Sequence, residues 1–295
     1  LTAFKIYVII WEEQMNRQLR ANFFVGLVAL FWGSTYFLTK IGIGMLEPFN
    51  LTSLRFATAF LVTALFFRKR VLKVDKVTLK YSIILGILAF ISVLTMTIGV
   101  KYTSASNAGF LISLSVVMIP LISVIFLKKK IKFKLLVSVI LATIGIVLLT
   151  LNEQLTINKG DILCIICALA FALQVLVMER IPKNADSVAI GALQLGIVGV
   201  MNGIISFTIE TFKFPHNLKL WGVIMLLGIF CTAVCYIMQI YALKDTSAIQ
   251  AGIILSLEPV FSAIFAFVFL GELLSTKGYI GAVLLFISVI LAGVI

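Results

Sequence analysis

Three ionisable side chains, Lys40, Arg55 and Glu258, lie inside long apolar runs. A charge at the centre of a membrane helix costs about 2.5–3.5 kcal/mol on insertion scales, so each needs a reason. Glu258 could couple protons or balance a charge on a ligand, or it could hydrogen-bond backbone groups freed by Pro259. Lys40 could contact an anion or extend to the membrane interface. Arg55 could contact a ligand, or it could pair with a carboxylate or with helix-end carbonyls.

Aromatic and amide side chains at helical spacing predict a cavity beside these charges. Trp32, Tyr36 and Lys40 are four residues apart, and Phe171 and Gln174 are three apart, so each set shares one helix face. Such a lining suits a small zwitterionic or partly apolar solute. The alternative is packing, because amides and hydroxyls commonly join helices in membrane proteins. The predicted substrate-binding residues are Trp32, Tyr36, Asn107, Phe171, Gln174, Tyr236, Gln239 and Gln250.

Catalytic and metal-binding patterns are not recognised in the sequence. Cys164 and Cys167 spell C-x-x-C, but they lie in an apolar run and are interpreted, like Cys231 and Cys235, as small buried hydrophobes. His216 is the single histidine, which excludes a metal site built from histidines. No phosphate-binding Walker motif occurs. We therefore expect no catalytic residues, no metal and no cofactor.

Ten apolar stretches must position these residues. The chain of 295 residues is 62% hydrophobic and 12% charged, about half the charged share of a soluble domain. A membrane-spanning helix needs about 20 mostly apolar residues. We therefore predict an all-α integral membrane protein with ten spans. Spans 1 to 10 are predicted at Asn22–Gly44, Phe49–Phe67, Thr78–Val100, Thr103–Leu127, Phe133–Leu151, Asp161–Met178, Asp186–Thr208, Lys219–Leu243, Ser247–Leu270 and Thr276–Ile295.

The basic residues predict the orientation of these spans. The net charge is +12, but the basic residues lie in the gaps between spans rather than in a patch for nucleic acid. One side carries sixteen of them and the other side five. Since positive charge concentrates on the cytoplasmic side, both termini are predicted to be cytoplasmic. The compact loops favour a prokaryotic inner membrane, with the lipid bilayer as a partner and no nucleic acid.

The residues that precede span 1, 1–21, are predicted to form an N-terminal extension. Leu1–Ile10 is apolar but too short to span, and Met15 resembles a natural start. Residues 1–14 are therefore interpreted either as non-native sequence or as a helix lying at the membrane interface.

The two halves of the chain repeat each other. Lys101–Gly109 aligns with Lys244–Gly252 at a shift of 143, and Ala29–Lys40 aligns with Ala168–Glu179 at a shift of 139, which also brings Arg55 over Gln194. The units are residues 22–151 and 158–295. Because each unit holds five spans, the second must enter the membrane from the opposite side. Inverted repeats of this kind are typical of secondary transporters.

Several short motifs resemble the EamA-type ten-helix permeases of the drug/metabolite transporter superfamily. The resemblance covers Asn22 to Ile295, and the motifs are Phe31-Trp-Gly-Ser34 with Lys40, Arg55-Phe56, Tyr102-Thr-Ser-Ala105, Gly160-Asp161, Leu257-Glu-Pro-Val260 and Leu270-Gly-Glu272. It implies a 5+5 inverted repeat, a cavity lined mainly by spans 1, 3, 4, 6, 8 and 9, and export or exchange of small metabolites, often amino acids. Span 4 lacks the Glu-Pro pair of span 9, so the halves are not predicted to be functionally equivalent.

We therefore expect a secondary transporter or exporter of small metabolites, with amino acids as the leading class, that works by alternating access. Two alternatives remain. An intramembrane lipid-modifying enzyme would need a partner for Glu258 that the sequence does not supply, and a non-transporting scaffold would need domains outside the membrane. Two complete halves predict that a monomer suffices.

Overall fold

The computed structural model describes residues 2–43, 45–103, 105–150, 158–271 and 275–292. Of these, residues 2–15, 36, 40, 105–107, 150 and 270 are described by their backbone alone. Within these ranges the chain is helical and contains no strand. Eight helices are long and apolar enough to cross a membrane, and two apolar helices, Phe133–Leu149 and Thr276–Leu291, are shorter. The predicted all-α membrane fold with ten spans is confirmed.

The helix bounds agree with the predicted spans to within two residues at most ends. The uninterrupted spans are the helices Pro48–Phe66, Lys76–Tyr102, Phe133–Thr150, Lys159–Glu179, Ser187–Ile209 and Thr276–Leu291, which are spans 2, 3, 5, 6, 7 and 10. Polar caps set several of these starts, because a side-chain oxygen satisfies backbone N–H groups that lack a helical acceptor. Asn158 accepts from the N–H groups of Gly160 and Asp161, for example, while Asp161 accepts from the N–H of Asn158.

Four spans differ from the prediction. Span 1 begins at Thr2 rather than at Asn22 and runs as one helix to Ile43. Span 4 is interrupted at Leu114 between helices Ala105–Ser113 and Ser115–Ile125, and span 9 is interrupted between helices Ala248–Leu255 and Glu258–Leu270. Span 8 consists of helices Leu218–Gly228 and Cys235–Ala242 joined by a π-helical segment, Ile229–Val234. A short helix that the sequence did not predict, Arg68–Leu72, follows span 2.

Contacts between the segments that connect successive spans show which of these connections lie at the same end of the bundle. At one end, the Lys129 ammonium lies 2.6 Å from the Glu179 carboxylate, and the guanidinium of Arg70 lies 3.6 Å from the carboxylate of Asp186. These contacts join the connections 2–3, 4–5 and 6–7, and we call this the basic end. At the other end, Glu210 accepts from the Asn50 backbone N–H at 2.8 Å. This contact joins connections 1–2 and 7–8, so successive spans run in alternating directions.

Helix packing follows the five-span repeat. Spans 3 and 6 pack together and so do spans 8 and 1; spans 4 and 6 pack together and so do spans 9 and 1. Since spans 1 to 5 correspond to spans 6 to 10, the contact between spans 3 and 6 is equivalent to that between spans 8 and 1. In the same way, the contact between spans 4 and 6 is equivalent to that between spans 9 and 1. Spans 2 and 7, 4 and 9, and 5 and 10 pack directly on their own counterparts. An axis relating the two halves therefore runs between these three pairs.

Two glycines let the fifth and tenth spans approach closely on this axis. A Cβ added to Gly145 would lie 2.8 Å from the Gly281 carbonyl oxygen, and one added to Gly281 would lie 2.6 Å from the Gly145 oxygen. Neither backbone could give way without separating the helices. Gly33 plays a similar part in span 1, where an added Cβ would lie 2.8 Å from the backbone N of Ser262 in span 9. Small residues of this kind drive close helix packing in membranes.

Candidate functional site

Two aromatic rings that the repeat relates to each other meet near the centre of the molecule. The shift of 139 residues places Phe171 at the position of Trp32. Their ring centroids are 5.7 Å apart in an edge-to-face arrangement, which is a favourable geometry for aromatic pairs. Equivalent residues can touch only close to the axis that relates them. Trp32 and Phe171, both predicted to bind substrate, therefore mark the centre of the fold.

Two more rings extend this contact into a cluster. Tyr236 lies 5.9 Å from Trp32 and 6.0 Å from Phe56, measured between ring centroids. We call Trp32, Phe56, Phe171 and Tyr236 the central aromatic cluster. Tyr236 was predicted from the sequence, whereas Phe56 appeared there only as part of a motif. The cluster joins spans 1, 2, 6 and 8.

Arg55 is anchored to the π-helical segment of span 8 on one side of this cluster. Its Nε donates to the Thr232 hydroxyl at 2.5 Å and its Nη2 donates to the Cys231 carbonyl at 3.2 Å. The same carbonyl accepts from the indole N–H of Trp32 at 3.1 Å. The guanidinium also lies 5.6 Å from the centre of the Phe56 ring. These contacts include pairing with a main-chain carbonyl, one of the roles that the sequence left open for Arg55.

Glu258 begins the second helix of span 9 and faces the same region. Its carboxylate lies within electrostatic range of Arg55, Tyr236 and Cys235. The residue is half-buried, and its place in the first turn of the helix favours a negative charge. Two ionisable residues, Arg55 of span 2 and Glu258 of span 9, thus lie near the central aromatic cluster.

The interruption of span 9 at Pro259 has a counterpart in span 4, where no proline stands at the same position. Span 4 breaks at Leu114, which the shift of 143 places over Leu257, although Val116 occupies the position of Pro259. At both breaks the chain makes a tighter turn, from Leu114 N to Leu111 O and from Leu257 N to Ile254 O. Pro259 stands in the first turn of the restarted helix, where its missing N–H costs least. The two halves therefore share the break at equivalent positions.

Buried amides lie near the cluster on spans 6, 7 and 8. Gln174 donates weakly to Gln194 at 3.5 Å, and both are almost fully buried. Gln239 is fully buried, and neither of its amide atoms has a hydrogen-bond partner among the described residues. Gln194 is the repeat counterpart of Arg55 and was not in the predicted set, although the shift of 139 points to it. Gln194 Nε2 and both amide atoms of Gln239 have no partner among the described residues. A buried polar atom without a partner is costly, so a polar ligand that bonds to these amides would be favoured.

Gln250 lies away from the centre, at the basic end. Its side-chain oxygen accepts from Gln18 at 2.8 Å and from the Ser247 hydroxyl at 3.1 Å, where span 9 begins. Gln250 therefore lies apart from Trp32, Phe171 and Tyr236, which form the central aromatic cluster. The side chains of Tyr36, Lys40 and Asn107 fall outside the part of the chain that the structure describes.

Two hydrogen bonds that the repeat relates to each other lie at the two ends of the bundle, one at each end. The Thr246 hydroxyl donates to Asn22 Oδ1 at 2.7 Å, and the Thr103 hydroxyl donates to Asp161 Oδ1 at 2.5 Å. The shifts of 143 and 139 place Thr103 over Thr246 and Asn22 over Asp161. We call these the Thr–Asx pairs. Each ties the start of an interrupted span, 9 or 4, to a span of the other half. Sequence reasoning missed both bonds, although Thr103, Thr246 and Asp161 lie in the short motifs.

The four cysteines are free and buried. Cys231 and Cys235 lie at the π-helical segment, where the Cys235 thiol donates to the Phe230 carbonyl at 3.1 Å. Among the described residues, no three His, Cys, Asp or Glu side chains stand close enough together to hold a metal ion. The groups that the central region offers to a ligand are thus the charge of Arg55, aromatic rings and buried amides.

Known proteins share this sequence pattern and this fold. The model of the EamA-like transporter family matches residues 19–151 and again residues 158–294. A protein of Archaeoglobus fulgidus named as an uncharacterized transporter is 30% identical over 275 residues, which cover 93% of this chain and 86% of that protein. The uncharacterized transporter YyaM of Bacillus subtilis is 25% identical, with 90% of each chain covered. One protein crystal structure superposes with a TM-score of 0.79 at 17% identity and covers 92% of this chain and 96% of its own.

Proposed function

Because this chain belongs to the EamA-like transporter family, a family of membrane transporters, we propose that it is a secondary transporter that moves small metabolites by alternating access. The contact between Trp32 and Phe171 carries this proposal. A site on the axis between inverted halves stands in the same relation to both membrane faces. Exchanging the conformations of the halves would expose that site first to one side and then to the other.

The Thr–Asx pairs support the same mechanism. One bond stands at each end, each is made by equivalent residues, and both are formed in this structure. Transport by alternating access needs a contact that closes each end and that can break while the contact at the other end stays formed. The helix Ala248–Leu255 behind the basic-end bond has seven buried residues, whereas Gly109, Phe110 and Ile112 of its counterpart are half-buried. The opposite end is therefore the easier one to open.

Amino acids are the solute class that the central charges favour. Arg55 and Glu258 present opposite charges to a region with aromatic walls, which matches the two charges and the side chain of a zwitterion. We further propose that the protein lies in a prokaryotic inner membrane with both termini in the cytoplasm, since the basic end carries the excess of Lys and Arg. Export and a monomeric working unit complete the proposal.

Counterflow in liposomes tests transport directly. Purified protein is reconstituted, the liposomes are loaded with an unlabelled amino-acid mixture, and single labelled amino acids are added outside with and without a pH gradient. We expect at least one label to accumulate above the level of protein-free liposomes. A flat response across all amino acids would overturn the proposed solute class, and the same assay with other carboxylates and with lipophilic cations would then test transport itself.

A further inference from the structure

The guanidinium of Arg55 is held along one edge only. Its Nε and Nη2 face the Thr232 hydroxyl and the Cys231 carbonyl, both in the π-helical segment of span 8. A guanidinium carries five N–H donors in a fixed plane. The Nη1 group and the second N–H of Nη2 form the other edge, and no hydrogen bond to that edge is found among the described residues. This edge has the spacing that binds two carboxylate oxygens in parallel.

Among the residues whose side chains the structure describes, Arg55 forms no ion pair with a carboxylate. No Asp or Glu oxygen of the described residues lies within 4.0 Å of the guanidinium, and Glu258 acts on it only at longer range. Arg55 is nevertheless half-buried at the level of the central aromatic cluster. An intramembrane cation without a close counter-charge is expensive, so an anionic ligand at this position would be strongly favoured.

The π-helical segment gives this arrangement a fixed geometry. Such segments are rare insertions in α-helices that often mark functional positions. Here Thr232 also donates to the Leu227 carbonyl at 2.8 Å, five residues earlier, which leaves its oxygen lone pairs directed at Arg55. Trp32 bonds the same Cys231 carbonyl and so holds the aromatic cluster against the anchored cation. The position of the cation is therefore set before any ligand arrives.

We infer that Arg55 binds the carboxylate group of the transported solute through its open edge, so that substrates of this protein must carry a carboxylate. The inference deepens the proposed transport function and rests on it. Its repeat counterpart is the neutral Gln194, so the molecule has one such site and not two. The solute would consequently bind in one orientation, with its carboxylate toward span 2 and its remainder against Trp32 and Tyr236.

Selectivity between an acid and its amide tests this inference in transport. Labelled leucine is followed by counterflow while unlabelled leucine or leucinamide competes. We expect leucine to compete at least about tenfold better than leucinamide in the wild type, since bonds between charged groups are the strong ones. Arg55→Gln should abolish this preference and Arg55→Lys should retain part of it. Arg68→Gln, an exposed arginine at the basic end, should behave as the wild type does.

A binding measurement separates failure of the inference from failure of the transport proposal. Trp32 contacts the anchoring carbonyl, so with Trp11 and Trp221 replaced by Phe its fluorescence reports on the site. Acetate should change that emission in the wild type, whereas acetamide should not, and Arg55→Gln should remove the acetate response. Equal responses to acetate and acetamide, an unchanged acetate response in Arg55→Gln, or no response to acetate would each overturn the inference, whatever leucine transport shows.

Discussion

At the residue scale, Glu258 is the carboxylate whose chemistry bears most on energy coupling. It interacts electrostatically with Arg55 and stands in the first turn of the second helix of span 9. If it exchanges protons during transport, replacing it by an amide keeps the shape and removes the titration. We expect Glu258→Gln to flatten the pH dependence of counterflow while the protein still folds. Initial rates between pH 5 and 8 measure this.

Glu47, at the end of the bundle away from the basic end, provides a matched control for Glu258. Glu47 is exposed, precedes span 2 and makes no side-chain cap bond. Glu47→Gln should leave the pH profile unchanged. If Glu258→Gln lowers rate and expression together while the profile keeps its shape, Glu258 supports the fold of span 9 and does not couple protons.

At the element scale, the two Thr–Asx pairs should act on opposite ends of the bundle. Thr246→Val removes the bond to Asn22 and Thr103→Val removes the bond to Asp161 with little change in shape. A lost hydrogen bond is worth about 1 kcal/mol, or roughly a fivefold change in a population. We expect Thr246→Val to speed hydrogen–deuterium exchange in residues 248–255, and Thr103→Val to do so in residues 108–113. Faster exchange at the same end in both variants would contradict separate closures.

The contact between spans 1 and 9 gives a second prediction at this scale. A Cβ on Gly33 would lie 2.6 Å from the Phe261 Cβ and 3.0 Å from the Glu258 carbonyl oxygen. Since backbone cannot move aside cheaply, Gly33→Ala should destabilise the protein by about 1–3 kcal/mol. Gly26, two helical turns earlier in the same span, has open space around it, so Gly26→Ala should be neutral. Thermal unfolding in detergent compares the two, and equal melting temperatures would show that the helices repack.

At the scale of the whole molecule, the sequence predicts the fold far better than the site. Apolar runs dictate spans, and the repeat motifs dictate the inverted halves, because both are physical consequences of bilayer thickness and chain direction. The π-helical segment carries no local signal of this kind, and neither does the partner that Arg55 finds in it. Gln250 illustrates the limit: its residue type suits a cavity, but its place one turn after the Ser247 cap puts it at the basic end.

The repeat identifies further residues of the central region and of both ends. Applying the shifts of 139 and 143 to every polar residue pairs Asn22 with Asp161 and Thr103 with Thr246, which are the residues of both closures. It also identifies Gln194 as the counterpart of Arg55. What the shifts cannot supply is which side chains meet, because that depends on how the halves pack.

The most direct test of alternating access measures distances at both ends of the same protein. Spin labels at positions 20 and 245 flank the Asn22–Thr246 bond, and labels at the repeat-related positions 159 and 102 flank the Asp161–Thr103 bond; the native cysteines, all buried, are replaced. Thr103→Val should lengthen the distance between 102 and 159 while that between 20 and 245 stays short, and Thr246→Val should do the reverse. Distances that lengthen together at both ends, or that change at neither end in any variant, would contradict alternating access.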